Sequence, residues 1–593
     1  MSTPMSRRDL EFLLYEWLEV DSLTTRERFA DHSRETFDAV LDLSANIAQK
    51  CFAPVNKKGD RNAPYIGAAG QVVLPSEISD GLDQFRSAGL IAGSFDEALG
   101  GMQLPTVVNR ASMTWFQAAN AAMSSYYFLT AANASLLAEY GTAEQIDSWV
   151  RPMLDGRFTG TMCLSEPQAG SSLADITTKA VAVPDGTYRI TGTKMWISGG
   201  DHELTDNIVH LVLAKVPGGG TGVKGISLFI VPKYLADGTR NDVALVGLNH
   251  KMGNRATTNA LLNFGDGTFN PTPESGAVGY LVGTEHRGLS YMFHMMNEAR
   301  IGVGLLATAL GYAGYLASLE YARTRIQGRV IDDAASAADS KPVAIIEHAD
   351  VKRMLLAQKS YVEGALALGL YCSKLVDEAA TTTGPERDRA NLLLDVLTPI
   401  AKSWPSQWCL EANSLAIQVH GGYGYTTEFD VEQYYRDNRL NPIHEGTHGI
   451  QGLDLLGRKV TMHNGAGLAL LADTISDTID RASTAPALST YADDLGKALN
   501  QLVAVTARIW SVDDRAASLA NASIYLEAAG HIVIAWIWLD QLLAVGDLDG
   551  AFYDGKRVAT QYFFRYELPK VAAQLTLLAQ LDRTTLDTDP TWL

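Results

Sequence analysis

Apolar residues recur at three- and four-residue spacing through the first part of the chain. Phe37, Val40, Leu41, Leu43, Ile47 and Ala48 form one stripe, and residues 118–139 are rich in Ala, Leu and Met without alternation. This spacing collects apolar side chains on one helical face and predicts helices over about residues 34–154. The texture changes near Gly156. Four runs bounded by Gly, Pro and Asp follow: YRITGTKMWIS (188–198), IVHLVLAKV (208–216), GISLFIVP (225–232) and ALLNF (260–264). They read as strands, with PGGGTGVKG (217–225) as a turn. Helical spacing returns after Gly288 and runs to about Glu445, broken by a polar stretch at 330–342 that reads as a surface loop. A last block from Met462 carries two stripes separated by Pro486. One is Leu468, Leu471, Ile475 and Ile479; the other is Leu495, Leu499, Leu502 and Ile509. The pattern predicts a mainly α chain with a middle β domain, divided at 1–155, 156–285, 286–461 and 462–593.

Composition narrows the class. The 593 residues are 47% hydrophobic and 19% charged, which is ordinary globular usage and excludes disordered and collagen-like chains. Acidic residues outnumber basic ones, 67 to 48, and the net charge of −19 argues against a nucleic-acid surface. Cys51, Cys163, Cys372 and Cys409 are far apart with no CxxC pair, so a reducing, cytoplasmic setting is expected. Arg7 and Arg8 imitate a twin-arginine signal, but Asp9, Glu11, Glu16 and Glu19 interrupt any apolar region behind them. The densest apolar run, AAGHIVIAWIWL (528–539), is too short to cross a bilayer and reads as a buried helix; no membrane span is expected.

Three constellations could carry chemistry. His444, Glu445 and His448 spell HExxH, a zinc-hydrolase motif when it lies on a continuous helix. Gly446, Gly449 and Gly452 would each cost that helix about 1 kcal/mol. Thr447 reads instead as the N-cap of a helix with apolar face Ile450, Leu453, Leu456 and Val460, leaving Glu445 in a loop, so no metal site is expected. GGYGYT (421–426) follows no strand and GVGLLA (302–307) lies in a helical run, where small residues permit close packing. In MCLSEPQAGSSLADI (162–176) and KMWISGG (194–200), Ser165, Ser171, Ser172 and Ser198 could hydrogen-bond a polar ring or a phosphate. They could equally end strands in solvent-facing turns, but Trp196 beside Ser198 favours a ligand.

Taken in order, these segments resemble the acyl-CoA dehydrogenase family. The resemblance also covers LNHKMGNRATTNALLNF (248–264), MNEARIGVG (296–304), YARTRIQGR (321–329), QVHGGYGYTTEFDVEQYYRD (418–437) and IHEGTHGIQ (443–451). It implies an N-terminal helical domain, a β-barrel-like domain and a four-helix bundle. The added C-terminal helical block is similar to that of 3-methylmercaptopropionyl-CoA dehydrogenases and long bacterial fatty acyl-CoA dehydrogenases. Implied with it are FAD as cofactor, Glu445 as catalytic base, an acyl-CoA substrate, an electron-transfer flavoprotein as acceptor, and a homodimer.

By the same resemblance, Leu164, Ser165, Ser171, Trp196, Ile197 and Ser198 contact the cofactor. Arg325, Gln327, Gln418, Gly421 and Gly422 reach the neighbouring subunit's FAD, and Thr447 lies at its diphosphate. Ser171, Asn297, Arg300 and Gly446 contact substrate. Ile443 and Gly446 are expected to keep water from Glu445. The substrate implied is a straight-chain medium to long acyl-CoA in β-oxidation, with 3-methylmercaptopropionyl-CoA as the alternative. An acyl-CoA oxidase and a nucleic-acid-binding relative are more remote readings. His444, Gly449 and His420 depart from a common Tyr, Gln and aliphatic residue of the family.

Overall fold

The computed structural model describes residues 3–330 and 341–593, apart from the side chains of residues 294–297. The Asn297 side chain and most of the expected loop 330–342 therefore lie outside the described residues. The chain forms two compact units. One comprises Met1–Arg34, Pro105–Thr114 and Arg300–Leu593; the other comprises Glu35–Leu104 and Trp115–Ala299.

The second unit holds the β domain. All four predicted runs are strands, at Tyr188–Ser198, Asn207–Lys215, Ile226–Pro232 and Asn259–Phe264. Phe158–Cys163, Lys179–Ala182, Val243–Leu248 and Ala277–Val282 complete an eight-stranded sheet. Ala277–Val282 pairs antiparallel with both Tyr188–Ser198 and Ile226–Pro232, so the sheet curls shut like a barrel. Asn207–Lys215 is flanked on both sides, by Phe158–Cys163 and Ile226–Pro232, and is apolar on both faces as a central strand must be. Cys163, Ile190, Val212, Phe229, Leu262 and Phe264 fill the interior. The helix Ala121–Tyr140 lies close to the strand Phe158–Cys163, since a Cβ at Gly160 would fall 2.6 Å from Asn133. Asn133 turns that proximity into bonding by donating to the carbonyls of Thr161 (3.2 Å) and Val209 (2.9 Å).

The first unit is helical. Its bundle is built on Ala349–Thr381, Pro385–His420 and the part of Gly288–Thr324 that follows Arg300. Pro405 has no N–H for the carbonyl of Ala401, and Gly304 approaches that carbonyl so closely that a Cβ would lie 1.9 Å from it. The small residues of GVGLLA serve helix packing, as read. The C-terminal block lies on this bundle through the helix Ala522–Val545, where Trp538 Nε1 donates to Ser360 O at 3.1 Å and a Cβ on Gly530 would meet Trp404. Gly288–Thr324 and Ala522–Val545 are long and apolar enough to cross a membrane by composition. Their most apolar windows are 89% and 83% buried within the protein, so this apolarity serves packing.

Two expectations shift. Leu43, assigned to a buried stripe, is exposed. Leu453 is also 43% exposed, because Gly452 must face Ala522, whose carbonyl would lie 2.7 Å from a Cβ there. The π-turn Leu455–Lys459 then carries the buried face on through Leu455 and Leu456.

The segment before Arg34 packs with the C-terminal helices. Buried Lys556 pairs with Asp9 and with Glu363 (2.9 Å), Lys359 pairs with Glu363, and Tyr312 donates to Asp9 at 2.9 Å. Trp17 Nε1 reaches Asp540 at 2.9 Å. The alternating charges satisfy one another inside the protein, and removing one strands its partners. Lys556→Met is therefore expected to lower unfolding stability by about 3 kcal/mol. Urea denaturation measures this; an unchanged midpoint would show that the cluster does not anchor the N-terminal segment.

Candidate active site

The second unit presents two adjoining loops. In the strand Tyr188–Ser198 the pairing register slips between Lys194 and Ile197. Within that bulge Trp196 takes a left-handed backbone (φ 67°), and its indole is 60% exposed. A β-disfavoured backbone holding a large aromatic in solvent marks a contact surface. The Ile197 side chain turns the other way, into the core, so only its main chain is available to a ligand. Ser198 Oγ accepts from Asn259 Nδ2 at 3.3 Å.

The neighbouring loop carries half-buried Leu164 and Ser165 and exposed Ser171. The Ser165 carbonyl accepts from Met195 N–H at 3.0 Å. Beneath both loops lies an ion pair absent from the sequence reading, Lys194 Nζ to Glu166 at 3.0 Å, with both side chains buried. Lys194 also donates to Leu164 O at 3.0 Å. Glu166 further accepts from Thr177 and Thr178 through their N–H and hydroxyl groups. Burial alone would raise the Glu166 pKa, but Lys194 and these donors outweigh it and hold the carboxyl at about 2.

In the first unit, residues after Gly288–Thr324 form a short bridge that orients Arg325 and Gln327. Gln327 N–H donates to Val343 O (2.9 Å), and the Arg325 carbonyl accepts from Ile345 N–H (2.8 Å). Arg325 and Gln327 are exposed, as are Gln418, Gly421 and Gly422 at the end of Pro385–His420. The Arg325 guanidinium stands 5.8 Å from the Tyr423 ring, and a Cβ on Gly421 or Gly422 would meet open space. These glycines leave bare backbone beside a cation, which suits a phosphate-bearing ligand. His420 acts as an aromatic filler, stacked on Tyr321 at 4.3 Å, and its burial lowers its pKa.

Glu445 lies in a loop, with a left-handed backbone (φ 52°), followed by Gly446 at φ 86°. Thr447 caps the helix His448–Asp454 by accepting from Ile450 N–H, as expected, so the HExxH residues share no continuous helix. His444 Nε2 donates to Asn441 Oδ1 at 3.0 Å, whereas His448 Nδ1 meets Ser403 Oγ at 3.0 Å. Burial pushes the His444 pKa down to about 3, keeping it neutral. Behind it a buried chain runs through Asn441, Asn438 and Asn413, with amide-to-amide bonds of 2.9 and 2.7 Å.

Burial raises the Glu445 pKa, opposed by the charges of Lys402 and Arg300. Ile443, expected to exclude water, is itself 51% exposed, and Glu445 is half-buried. Arg300, expected to contact substrate, is 3% exposed and paired with Asp454 at 3.0 Å, so its charge acts inward on Glu445.

The second unit thus presents an exposed indole on a strained loop, and the first unit presents an exposed cation beside bare backbone and a carboxylate of raised pKa. Residues 39–157, 161–266 and 286–460 match the acyl-CoA dehydrogenase N-terminal, middle and C-terminal domains. Residues 471–589 match the domain described as acetyl-CoA dehydrogenase C-terminal like. The chain is similar to 3-methylmercaptopropionyl-CoA dehydrogenase of Ruegeria pomeroyi, 35% identical over 96% of each chain. It is also similar to the broad-specificity linear acyl-CoA dehydrogenase FadE5 of Mycobacterium tuberculosis, 32% identical over 98% of each. The fold matches an acyl-CoA dehydrogenase complexed with FAD from Bacillus anthracis, with TM-score 0.75, 17% identity and coverage of 96% and 91%. The chain belongs to the acyl-CoA dehydrogenase family. It is an FAD-dependent oxidoreductase acting on the CH–CH bond of an acyl-CoA.

The ion pair under the Trp196 loop predicts the behaviour of Lys194→Met. With Glu166 left buried and unpaired, the two loops lose their common anchor. FAD affinity, titrated on apo-protein, is expected to fall by about tenfold or more, equivalent to about 1.4 kcal/mol. Unaltered affinity in a folded variant would remove the pair from the cofactor site.

Proposed function

We propose that Glu445 is the base in α,β-dehydrogenation of a straight-chain medium to long acyl-CoA, yielding the trans-2-enoyl-CoA. The observation that carries this reading is a loop carboxylate whose pKa is raised by burial in the face of two nearby cations. In the step, the α C–H bond breaks and its proton passes to a Glu445 carboxylate oxygen. The β-hydrogen departs with its electron pair as the carbon–carbon double bond forms. Bound FAD supplies the two-electron acceptor for that hydride. Leu164, Ser165, Ser171, Trp196, Ile197 main chain and Ser198 orient the flavin. Arg325, Gln327, Gln418, Gly421 and Gly422 reach the neighbouring subunit's FAD, and Thr447 lies at the diphosphate portion. Ser171, Asn297 and Gly446 contact the substrate, while Arg300 supports Glu445 electrostatically. The electrons leave to an electron-transfer flavoprotein.

Glu445→Gln tests the role. Anaerobic acyl-CoA is expected to bleach the wild-type flavin at a rate that rises with pH as the carboxyl ionises, then levels above its raised pKa. The Gln variant is expected to keep its yellow colour and lose bleaching by at least about a hundredfold. Wild-type bleaching by the Gln variant would exclude this role.

Chain length is the finer part of the reading. Met123, Tyr126 and Tyr127 of the helix Ala121–Tyr140 are buried in the core, which leaves half-buried Ser125, Phe128 and Leu129 as its candidates for lining an acyl pocket. The similarity to the Ruegeria pomeroyi relative favours 3-methylmercaptopropionyl-CoA as a second substrate class. A panel of acyl-CoA thioesters decides between them by kcat/KM, with the highest value expected on a straight chain; preference for the methylthio-thioester would select the second reading.

The exposed Arg325 and Gly421 surface supports a cytoplasmic homodimer in which each subunit completes the other's FAD site, and the cysteines are all free. Light scattering of holoenzyme is expected to give the mass of two chains. A stable FAD-loaded monomer would contradict sharing.

A further inference from the structure

Glu445 needs support that its own loop does not provide. Its left-handed backbone, at φ 52°, is strained for a residue that bears a side chain, so surrounding structure must over-determine it. Gln451 contributes by donating to Glu445 O at 3.1 Å. The stronger restraint comes from Lys402, whose Nζ donates to Asn441 O at 2.7 Å and to Gly446 O at 2.8 Å. Lys402 is fully buried in Pro385–His420, between Pro399 and Pro405, and makes no ion pair among the described residues. A lysine buried without a carboxylate partner is costly to keep, and here both of its acceptors are main-chain carbonyls on either side of Glu445.

Building on the base role of Glu445, we propose that Lys402 is its positioning residue, clamping the carbonyls of Asn441 and Gly446 that bracket the glutamate. The charged and titratable groups around the clamp come from each element packed on it. Gly288–Thr324 brings Arg300, the loop brings His444 and Glu445, and His448–Asp454 brings His448 and Asp454. Burial, reinforced by Arg300 and opposed by Glu445, lowers the Lys402 pKa to about 7. A neutral amine has two N–H groups, matching the two carbonyls it serves, so the clamp persists when the lysine loses its proton. Charge and geometry are then separable. The clamp holds the loop throughout, while titration of Lys402 alters the field felt by the carboxylate.

The test uses the FAD-loaded enzyme and the variants Lys402→Met, which has no donor, and Lys402→Gln, whose amide keeps two. For Lys402→Met, amide hydrogen exchange over residues 440–448 is expected to accelerate by about tenfold or more. Flavin bleaching at saturating acyl-CoA is expected to slow by roughly 10- to 100-fold with little change in apparent substrate affinity. The Gln variant is expected to recover part of both, and it decides the matter if the Met variant does not fold. Faster exchange with wild-type bleaching would make Lys402 merely structural, and slower bleaching with unchanged exchange would make it act by charge alone; either overturns the clamp. If Glu445→Gln bleaches normally, the base reading fails by itself, and hydrogen exchange alone then judges the clamp.

Discussion

A charge removed from water must meet a partner inside the protein, and three buried sets of charges show how this chain meets that constraint. Lys556 is satisfied by Asp9 and Glu363, joining the N-terminal segment to the bundle and the added C-terminal block. Lys194 is satisfied by Glu166 and ties two loops of the β domain. Arg300 is satisfied by Asp454, whereas Lys402 has only carbonyls. The difference is functional. Fully paired charges anchor structure, while Glu445, close to cations but spared a direct ion pair among the described residues, keeps a carboxylate basic enough for proton abstraction.

Backbone strain follows the same division. Trp196 and Glu445 both occupy left-handed conformations that a residue with a side chain adopts only at a cost. In each case a buried lysine lies beneath the strained loop, Lys194 in one and Lys402 in the other. Rigid elements thus present an exposed indole and a poised carboxylate in defined orientations, and the loops themselves remain short.

Close packing supplies the remaining constraint. Gly304 against the carbonyl of Ala401 brings two bundle helices together, and Gly530 against Trp404 seats the added block. At these contacts a methyl group would collide, so the glycines are required by the interior. Gly421 and Gly422 differ, since a Cβ there meets nothing in the chain. Gly421 is required by its own backbone, at φ 60°, whereas Gly422 has neither a positive φ nor a neighbour to demand glycine, and its bare backbone is open to a ligand or another subunit.

The order of helical and β blocks, the four strands, the Thr447 cap and the position of Glu445 outside a helix were legible in the sequence, because each depends on neighbours within a few residues. The motifs also carried the family resemblance, with FAD and an acyl-CoA substrate. The partners of buried charges were not legible. Glu166 and Lys194 stand in two recognised motifs, yet nothing local says that they meet, and Lys402 lies in an apolar helical run far from residue 445. Arg300 was expected at the substrate, and nothing near it in sequence points to its ion pair with Asp454. Leu453 matched the apolar period, but the need to bring Gly452 against Ala522 decided which face is buried. Periodicity records which side of an element avoids water; only the tertiary structure decides which distant group supplies the hydrogen bond, the countercharge or the space.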